Sequence, residues 1–238
     1  MSYHDEILNL ILANSTKGTK HTSLDNYLGT QHPRHAITVP IMRGLAKRWM
    51  AAHATLTAKE FGTLLTSLIN GESYTEKCFA GILLDYASAE QRRLDPKLFD
   101  VWLEHLEGWA EIDTLCTGNY SRVELPLQWK KWKTLIRHFA KSKSISKRRA
   151  SLVLFCSPLL AGRYDALAET ALETIDQLKH EKDILITKAI SWVLRSMIKH
   201  HRREVSRYLE ENAATLPKIA VRETLLKLKT GIKSNRKL

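Results

Sequence analysis

The strongest constraint on the fold is that apolar residues recur at helical spacing along nearly the whole chain. No segment alternates apolar and polar residues over the length of a strand. Helix-start signals are frequent: Thr57 and Ser73 each precede a glutamate by three residues, as in a capping box. Pro40, Pro96 and Pro126 are each interpreted as marking the start of a helix. Further helix starts are predicted near Ser146, Asp165, Asp183, Arg202 and Pro217. We therefore predict an all-helical chain.

The predicted helices are short and their connections are brief, which favours antiparallel helix pairs stacked side by side. The cysteines suggest a repeat, since Cys116 follows Cys78 by 38 residues and Cys156 follows Cys116 by 40. This spacing is close to the period of HEAT and armadillo repeats. We expect one solenoid domain over residues 1–238, with a concave basic groove and a basic tail from about residue 233.

The repeat also relates three residues that are candidates for a binding surface. Trp109 and Arg149 each lie seven residues before a cysteine, and Trp192 follows Arg149 by 43 residues. If the period holds, the three residues occupy equivalent positions in successive repeats. They would then line one surface of the solenoid.

Charge points to a polyanionic partner, because 37 Lys and Arg against 25 Asp and Glu give a formal net charge of +12. The segment 125–164 contains no acidic residue and many basic ones. Nucleic acid fits this segment better than a membrane surface, since its cations span at least two helices and a turn. Solvated helix faces are the alternative for any individual cation.

Several other classes of site lack their sequence signals. The three cysteines have no Cys-x-x-Cys spacing, which argues against a disulfide framework and a zinc site. No glycine-rich phosphate loop or His-Glu-x-x-His motif is present, and the pair His200-His201 is interpreted as a solvated helix end. We expect no metal and no cofactor. With neither a signal peptide nor a transmembrane run, we expect a cytoplasmic monomer.

Trp109 and Asp113 are four residues apart, so on a helix they present an aromatic ring and a carboxylate on one face. A structural role for Asp113, as a helix cap or an ion-pair partner, is the alternative. Trp129 and Trp132 are interpreted as core residues, whereas Trp109 and Trp192 are interpreted as binding residues.

Five segments in order resemble the AlkD-like DNA alkylation repair proteins. Residues 27–30 and 39–49 look like that family's N-terminal signature, and residues 108–114 are similar to its Trp-x-x-x-Asp pocket motif. Residues 148–153 resemble its arginine motif, and residues 188–195 resemble its closing tryptophan motif. Together these segments span most of the chain.

The resemblance implies a HEAT-like fold and a monofunctional DNA glycosylase that removes positively charged N3- or N7-alkylpurines from duplex DNA. By motif, its pocket residues are Asp113, Trp109, Trp192 and Arg149, with Arg148 as the alternative to Arg149. The predicted DNA-binding residues are Arg148, Lys147, Lys188, Arg195, Arg43, Lys47 and Tyr27. The resemblance also implies that the lesion stays within or beside the duplex, although the sequence leaves base flipping open.

The expected chemistry fits these residue types. A charged purine is a good leaving group, and a carboxylate such as Asp113 would stabilise the oxocarbenium ion and orient the attacking water. Tryptophan faces attract a cationic base, and Arg149 would hold a phosphate and help to keep Asp113 ionised. The chain departs from the family directly after Trp109, where relatives often carry an acid and this chain has Ala110 followed by Glu111.

Two other functions stay open on sequence. One is a non-catalytic HEAT-repeat binder of distorted or branched DNA, for which the departure at Ala110 is the hint. The other is a protein-interaction scaffold, which the net charge of +12 disfavours unless the partner is strongly acidic.

Overall fold

The computed structural model describes residues 2–16 and 28–232, and these residues form helices joined by short connections. The helices are α1 (Tyr3–Ala13), α2 (Val39–Ala52), α3 (Ala58–Ile69), α4 (Tyr74–Tyr86), α5 (Leu98–Trp102), α6 (Ala110–Cys116), α7 (Asn119–Leu127), α8 (Trp129–Ala140), α9 (Ile145–Val153), α10 (Cys156–Ala161), α11 (Asp165–Leu178), α12 (Ile184–Met197), α13 (Arg202–Asn212) and α14 (Lys218–Thr230). An isolated antiparallel bridge joins Thr16 to Ala36. The predicted all-helical class is confirmed. In the part of the chain that is described, no helix is long and apolar enough to cross a membrane.

Most of the predicted helix starts are confirmed. Thr57 and Ser73 each form a complete capping box with the glutamate three residues on. Pro40 lies in the first turn of α2, and Asp183 caps α12 by accepting the Leu185 N–H at 2.8 Å. Local side-chain hydrogen bonds satisfy the first N–H groups of a helix, which explains why these starts can be read from sequence.

The prediction that Pro126 begins a helix is wrong. Pro126 lies in the last turn of α7, which begins at Asn119. Gly118 has φ +98° and turns the chain into this helix, and the carboxylate of Asp85 accepts the Asn119 N–H at 2.6 Å. A distant side chain therefore fixes the start, and the proline, which has no N–H to donate, stands where the helix ends.

The chain divides into two compact units, Met1–Tyr120 and Ser121–Leu238. In the first unit α2, α4 and α6 pack side by side, with α3 on α4 and α1 on α3. In the second unit α9, α12 and α14 form one layer, α8 packs on α9 and α11, and α13 packs on α12 and α14. Each unit is thus built from stacked helix pairs. The single domain and the concave basic groove stay predictions.

The cysteine spacing does not mark equivalent positions. Cys78 lies within α4, Cys116 is the last residue of α6 and Cys156 is the first residue of α10. All three are buried free thiols, and burial raises the pKa of Cys78 to about 12. The cysteines share burial but not a place in a repeat, because the helices that separate them differ in length.

The three candidate binding residues are likewise not equivalent. Trp109 precedes the first residue of α6. Arg149 is the fifth residue of α9 and Trp192 is the ninth of α12. The expectation that the three residues occupy one repeat position is therefore wrong.

Gly81 is predicted to be essential for the packing of α4 against α6. A Cβ at this position would lie 2.6 Å from the carbonyl carbon and oxygen of Thr114, so Gly81→Ala should lower the free energy of unfolding by about 1–3 kcal/mol. Urea unfolding measures this loss. The matched control is Gly44→Ala in α2, where the nearest side-chain atom is 3.6 Å away and helix propensity favours alanine by about 0.5–1 kcal/mol. Equal losses in both variants would contradict the close approach.

Candidate functional site

The segment that begins with Trp109 is anchored by a backbone crossing. The Trp109 N–H donates to the Leu28 carbonyl at 3.1 Å. Gly108 has φ +64°, and a Cβ there would overlap the carbonyl oxygen of Leu28 and the backbone of Gly29. Only glycine fits this crossing and this φ. The crossing holds the N-terminal signature against the pocket motif, and α6 begins directly after it.

Glu111 holds the same two segments together with its side chain. Its carboxylate is fully buried, and one oxygen lies 2.7 Å from the Thr30 hydroxyl and 2.9 Å from Nδ1 of His32. The other oxygen accepts the Glu107 N–H at 2.8 Å. A buried carboxylate is tolerated when its oxygens are satisfied in this way. Glu111 is therefore a structural acid that orients the first turn of α6.

A buried lysine lies in the same region of the first unit. Lys77, on α4, donates to the Ile69 carbonyl at 2.7 Å. Burial lowers the pKa of Lys77, and the nearby carboxylates of Glu111, Glu76 and Glu107 oppose that shift. Lys77 thus lies near the carboxylate of Glu111 within the first unit.

Asp113 lines a small cleft in the first unit. The side chain is 9% exposed, and the cleft has a volume of about 140 Å³. Its lining residues are Arg43, Gly81, Asp85, Asp113, Thr114, Thr117 and Gly118. Since about 10–15 Å³ of such volume is enough to admit one water molecule, the cleft has room for water beside the carboxylate. The half-exposed Trp109 lies one helical turn earlier, and its carbonyl accepts the Asp113 N–H at 2.9 Å.

Arg43 and Asp85 bring a second pair of charges to this cleft. The Arg43 guanidinium lies 2.9 Å from the Asp85 carboxylate. Asp85 also caps the first N–H of α7, at Asn119. Because Asp85 bonds both to Arg43 and to the Asn119 N–H, it holds Arg43 at the edge of the cleft. Sequence reasoning missed Asp85, because it belongs to no motif and acts through residues distant in the chain.

In the second unit, Arg149 and Trp192 lie on neighbouring helices of one layer. Arg149 is buried on α9, and its Nη1 donates to the Leu185 carbonyl in the first turn of α12. Trp192 is half-buried on α12, and Lys188 lies exposed one turn before it. The α9–α12 contact therefore places Arg149 against the helix that carries Trp192.

The predicted DNA-binding residues lie in different environments. Arg43, Lys47 and Lys188 are exposed, whereas Lys147 is buried. Arg148 lies 2.8 Å from Glu181 and also donates to the carbonyls of Ser142 and Lys143. Tyr27 lies outside the described residues.

Arg195 also has an internal partner. It is buried, and its Nε lies 3.2 Å from Ser191 Oγ and 3.4 Å from a Glu223 oxygen. These contacts aim its guanidinium into the second unit, so we leave Arg195 out of the proposed DNA interface.

The interpretation of His200-His201 as a solvated helix end is wrong for His201, which is 1% exposed. Among the described residues, Asp165, His201 and Glu204 lie close enough to hold a metal ion. However, the Arg163 guanidinium contacts Asp165 at 3.1 Å and Glu204 at 2.9 Å. The cluster is therefore an ion-pair network that already contains its cation.

The tryptophans of α8 follow the sequence interpretation. Trp132 is fully buried. Trp129 is half-buried and packs edge-on against Phe155, with ring centroids 6.2 Å apart. Trp132 therefore serves packing, and Trp129 packs against Phe155 although its exposure is intermediate, like that of Trp109 and Trp192.

These features define an all-helical protein of stacked helix pairs, with a cleft-lining carboxylate one helical turn after a tryptophan. The family model of the DNA alkylation repair enzymes matches residues 9–228, so the chain belongs to that family. The fold is similar to a solved structure described as a predicted DNA alkylation repair enzyme from Enterococcus faecalis. That likeness has a TM-score of 0.68 at 17% identity, and it covers 85% of this chain and 91% of the other. No curated protein matches the chain.

Glu111→Gln is predicted to destabilise the first unit. The amide of glutamine has an N–H₂ group in place of one carboxylate oxygen. This group would face an N–H or O–H donor that now bonds to Glu111, and an unsatisfied buried donor costs about 1–3 kcal/mol. Urea unfolding measures the change. The control is Glu107→Gln, because Glu107 is exposed and receives a bond from the Gln31 N–H at 2.9 Å; this variant should change stability by less than about 0.5 kcal/mol. A small effect of Glu111→Gln would rule out the structural role.

Proposed function

We propose that this chain is a monofunctional DNA glycosylase that hydrolyses the N-glycosidic bond of N3- and N7-alkylpurines in duplex DNA. The DNA repair role follows from the family, and the choice of reaction rests on one observation. The Asp113 carboxylate lines a small cleft with room for water, with the partly exposed Trp109 one turn away and Arg43 at the edge.

The reaction needs little beyond this arrangement. An alkylated purine carries a positive charge, so it leaves with the electron pair of the glycosidic bond as a neutral base. The sugar becomes an oxocarbenium ion, which the ionised Asp113 stabilises by charge. Water then bonds to C1′, and its proton passes to the carboxylate or to solvent. No metal or cofactor enters these steps.

Selectivity for the lesion is assigned to the tryptophans. A cationic base is attracted to the face of an indole by about 0.5–2 kcal/mol, depending on how far water is excluded. We assign this contact to Trp109 and Trp192. Arg149, which is buried and donates to the Leu185 carbonyl, is proposed to hold in place the helix that carries Trp192. The exposed Arg43, Lys47 and Lys188 are proposed to bind the DNA backbone.

A second candidate function is DNA binding without excision. Relatives often carry an acid directly after the tryptophan, and here that position is the buried Ala110. Glu111 does not replace it, because its carboxylate is used inside the unit. Excision of a base would therefore depend on Asp113 without a second acid next to Trp109.

The deciding experiment is release of free base from duplex DNA that contains 7-methylguanine. The wild-type protein should release base well above the spontaneous rate, and Asp113→Asn should lower that rate by about 10²- to 10³-fold while duplex binding is kept. Glu90→Gln, an exposed acid paired with Arg93, is the control and should leave the rate unchanged. Wild-type binding without base release would favour the non-catalytic function.

The register of the arginine motif gives a separate prediction. Arg148 is held by Glu181 and two carbonyls, so Arg148→Lys should lower stability by about 0–1 kcal/mol and leave base release intact. Arg149→Lys should lower base release by about tenfold or more, because an ammonium does not provide the forked donors of a guanidinium. Rates and thermal unfolding are measured for both variants. The opposite pattern would transfer the role to Arg148.

A further inference from the structure

A strongly basic exposed surface of the second unit lies on α8, a helix other than those that carry Arg149 and Trp192. Trp132, Ile136 and Phe139 are fully buried, and α8 packs against α9 and α11. Its outward side and the turn after it carry lysines. We call Lys130, Lys131, Lys133, Lys141 and Lys143 the α8 basic face; Lys133 is half-buried and the other four are exposed.

These lysines are not neutralised locally. Within residues 28–232, none of the five forms an ion pair, whereas Arg137 on the same helix lies 2.8 Å from Glu173. No acidic residue occurs between Glu124 and Asp165. The α8 basic face therefore keeps its full positive charge.

The position of two of these charges opposes the stability of the helix. Lys130 and Lys131 lie in the first turn of α8, which contains no acid, and Gln128 at its N-cap makes no side-chain hydrogen bond. The N-terminus of a helix is the positive end of its dipole, so cations there are unfavourable. Lysines also repel one another at short helical spacing. A neutral surface would be more stable, which favours a binding role for these charges.

The layer arrangement separates this face from the predicted lesion-binding residues of the same unit. Arg149 and Trp192 lie in the layer of α9, α12 and α14, whereas α8 packs on α9 beside α11 and is not part of that layer. The adjacent basic cluster on α9 is turned inward, since Lys147 and Arg149 are buried and Arg148 is paired. Much of the exposed positive charge of residues 125–164 therefore lies on α8 and the turn after it.

We propose that the α8 basic face binds a second segment of duplex DNA through its phosphates. Lys130 and Lys141 are eleven residues apart, which spans about 16 Å at 1.5 Å per residue. Duplex DNA carries one charge per about 1.7 Å of axis, so a length of duplex equal to this span carries about ten phosphates on its two strands. An anionic membrane is a poorer match, because the large apolar side chains of α8 are buried in the unit.

The inference rests on the proposed function only in taking duplex DNA as the ligand. A protein with two DNA surfaces holds one segment at the lesion-binding residues and another on α8. It can then pass between segments without complete release.

The test is whether a second duplex binds to a protein that is already loaded. The protein is saturated with an unlabelled duplex that contains a stable abasic analogue, and a short fluorescent undamaged duplex is then added. Sedimentation velocity reports complexes that contain two duplexes, and anisotropy gives the affinity of the second. The wild type should form such complexes, with binding that weakens steeply as salt is added.

The variant is Lys130→Gln with Lys131→Gln and Lys141→Gln. It should lower the affinity for the second duplex by about tenfold or more, while the affinity for the first duplex is kept. The magnitude of the slope of log K against log salt for the second duplex should fall by about 2 to 3. The control is Lys182→Gln with Lys218→Gln, two exposed lysines elsewhere in the unit, which should change the second affinity by less than about twofold.

Three results would overturn the proposal: no complex with two duplexes, an unchanged second affinity in the triple variant, or an equal loss of first-duplex affinity. Retention on phosphatidylserine vesicles under salt conditions that abolish second-duplex binding would also overturn it in favour of a lipid surface. Base release by the wild type is measured separately. A protein that binds two duplexes but releases no base would keep this inference and refute the proposed glycosylase.

Discussion

The candidate site in the first unit depends on the buried carboxylate of Glu111. A charge removed from water is costly unless donors surround it, and here those donors come from Thr30, His32 and the Glu107 backbone. Residues far apart in the chain are thereby held at one point, and the Gly29–Gly108 crossing brings their backbones into contact. The orientation of α6, and with it the direction in which Asp113 projects, follows from these bonds. Glu111, which follows the departure from the family pattern at Ala110, thus has a structural role.

The sequence predicted the parts of this fold that depend on neighbouring residues. Capping boxes and the Asp183 cap use side chains within three residues of the helix start, so local patterns sufficed. Pro126 failed as a helix-start signal because Asp85, distant in sequence, fixes where α7 begins. The cysteine period failed because burial alone is shared by residues at many positions. In the candidate site, the spacing of Trp109 and Asp113 was enough to select them from the sequence. Asp85 could not be selected in this way, because its contacts with Arg43 on α2 and Asn119 on α7 exist only in the folded chain.

The net charge predicted a polyanionic partner, but it did not show which cations are exposed on the surface. Three of the cations predicted to bind DNA, Lys147, Arg148 and Arg195, are buried or held by carboxylates. Arg148 and Arg195 link segments of the second unit that are distant in sequence. The exposed charge lies instead on α8, a helix whose aromatic residues serve packing. Basic residues in a sequence therefore need the fold to separate those that stabilise it from those that meet a ligand.

The link between Thr30 and Glu111 spans 81 residues of chain, and this separation bears on how the protein is made. A polypeptide emerges from the ribosome N-terminus first, at about 5–20 residues per second. The helices α2 to α4 can therefore form before Glu111 exists, while the segment that begins at Leu28 has no partner. The candidate site in the first unit is completed only after α6 emerges, and until then the segment that begins at Leu28 lacks its contacts with Trp109 and Glu111. Slow translation before residue 111 would lengthen that interval.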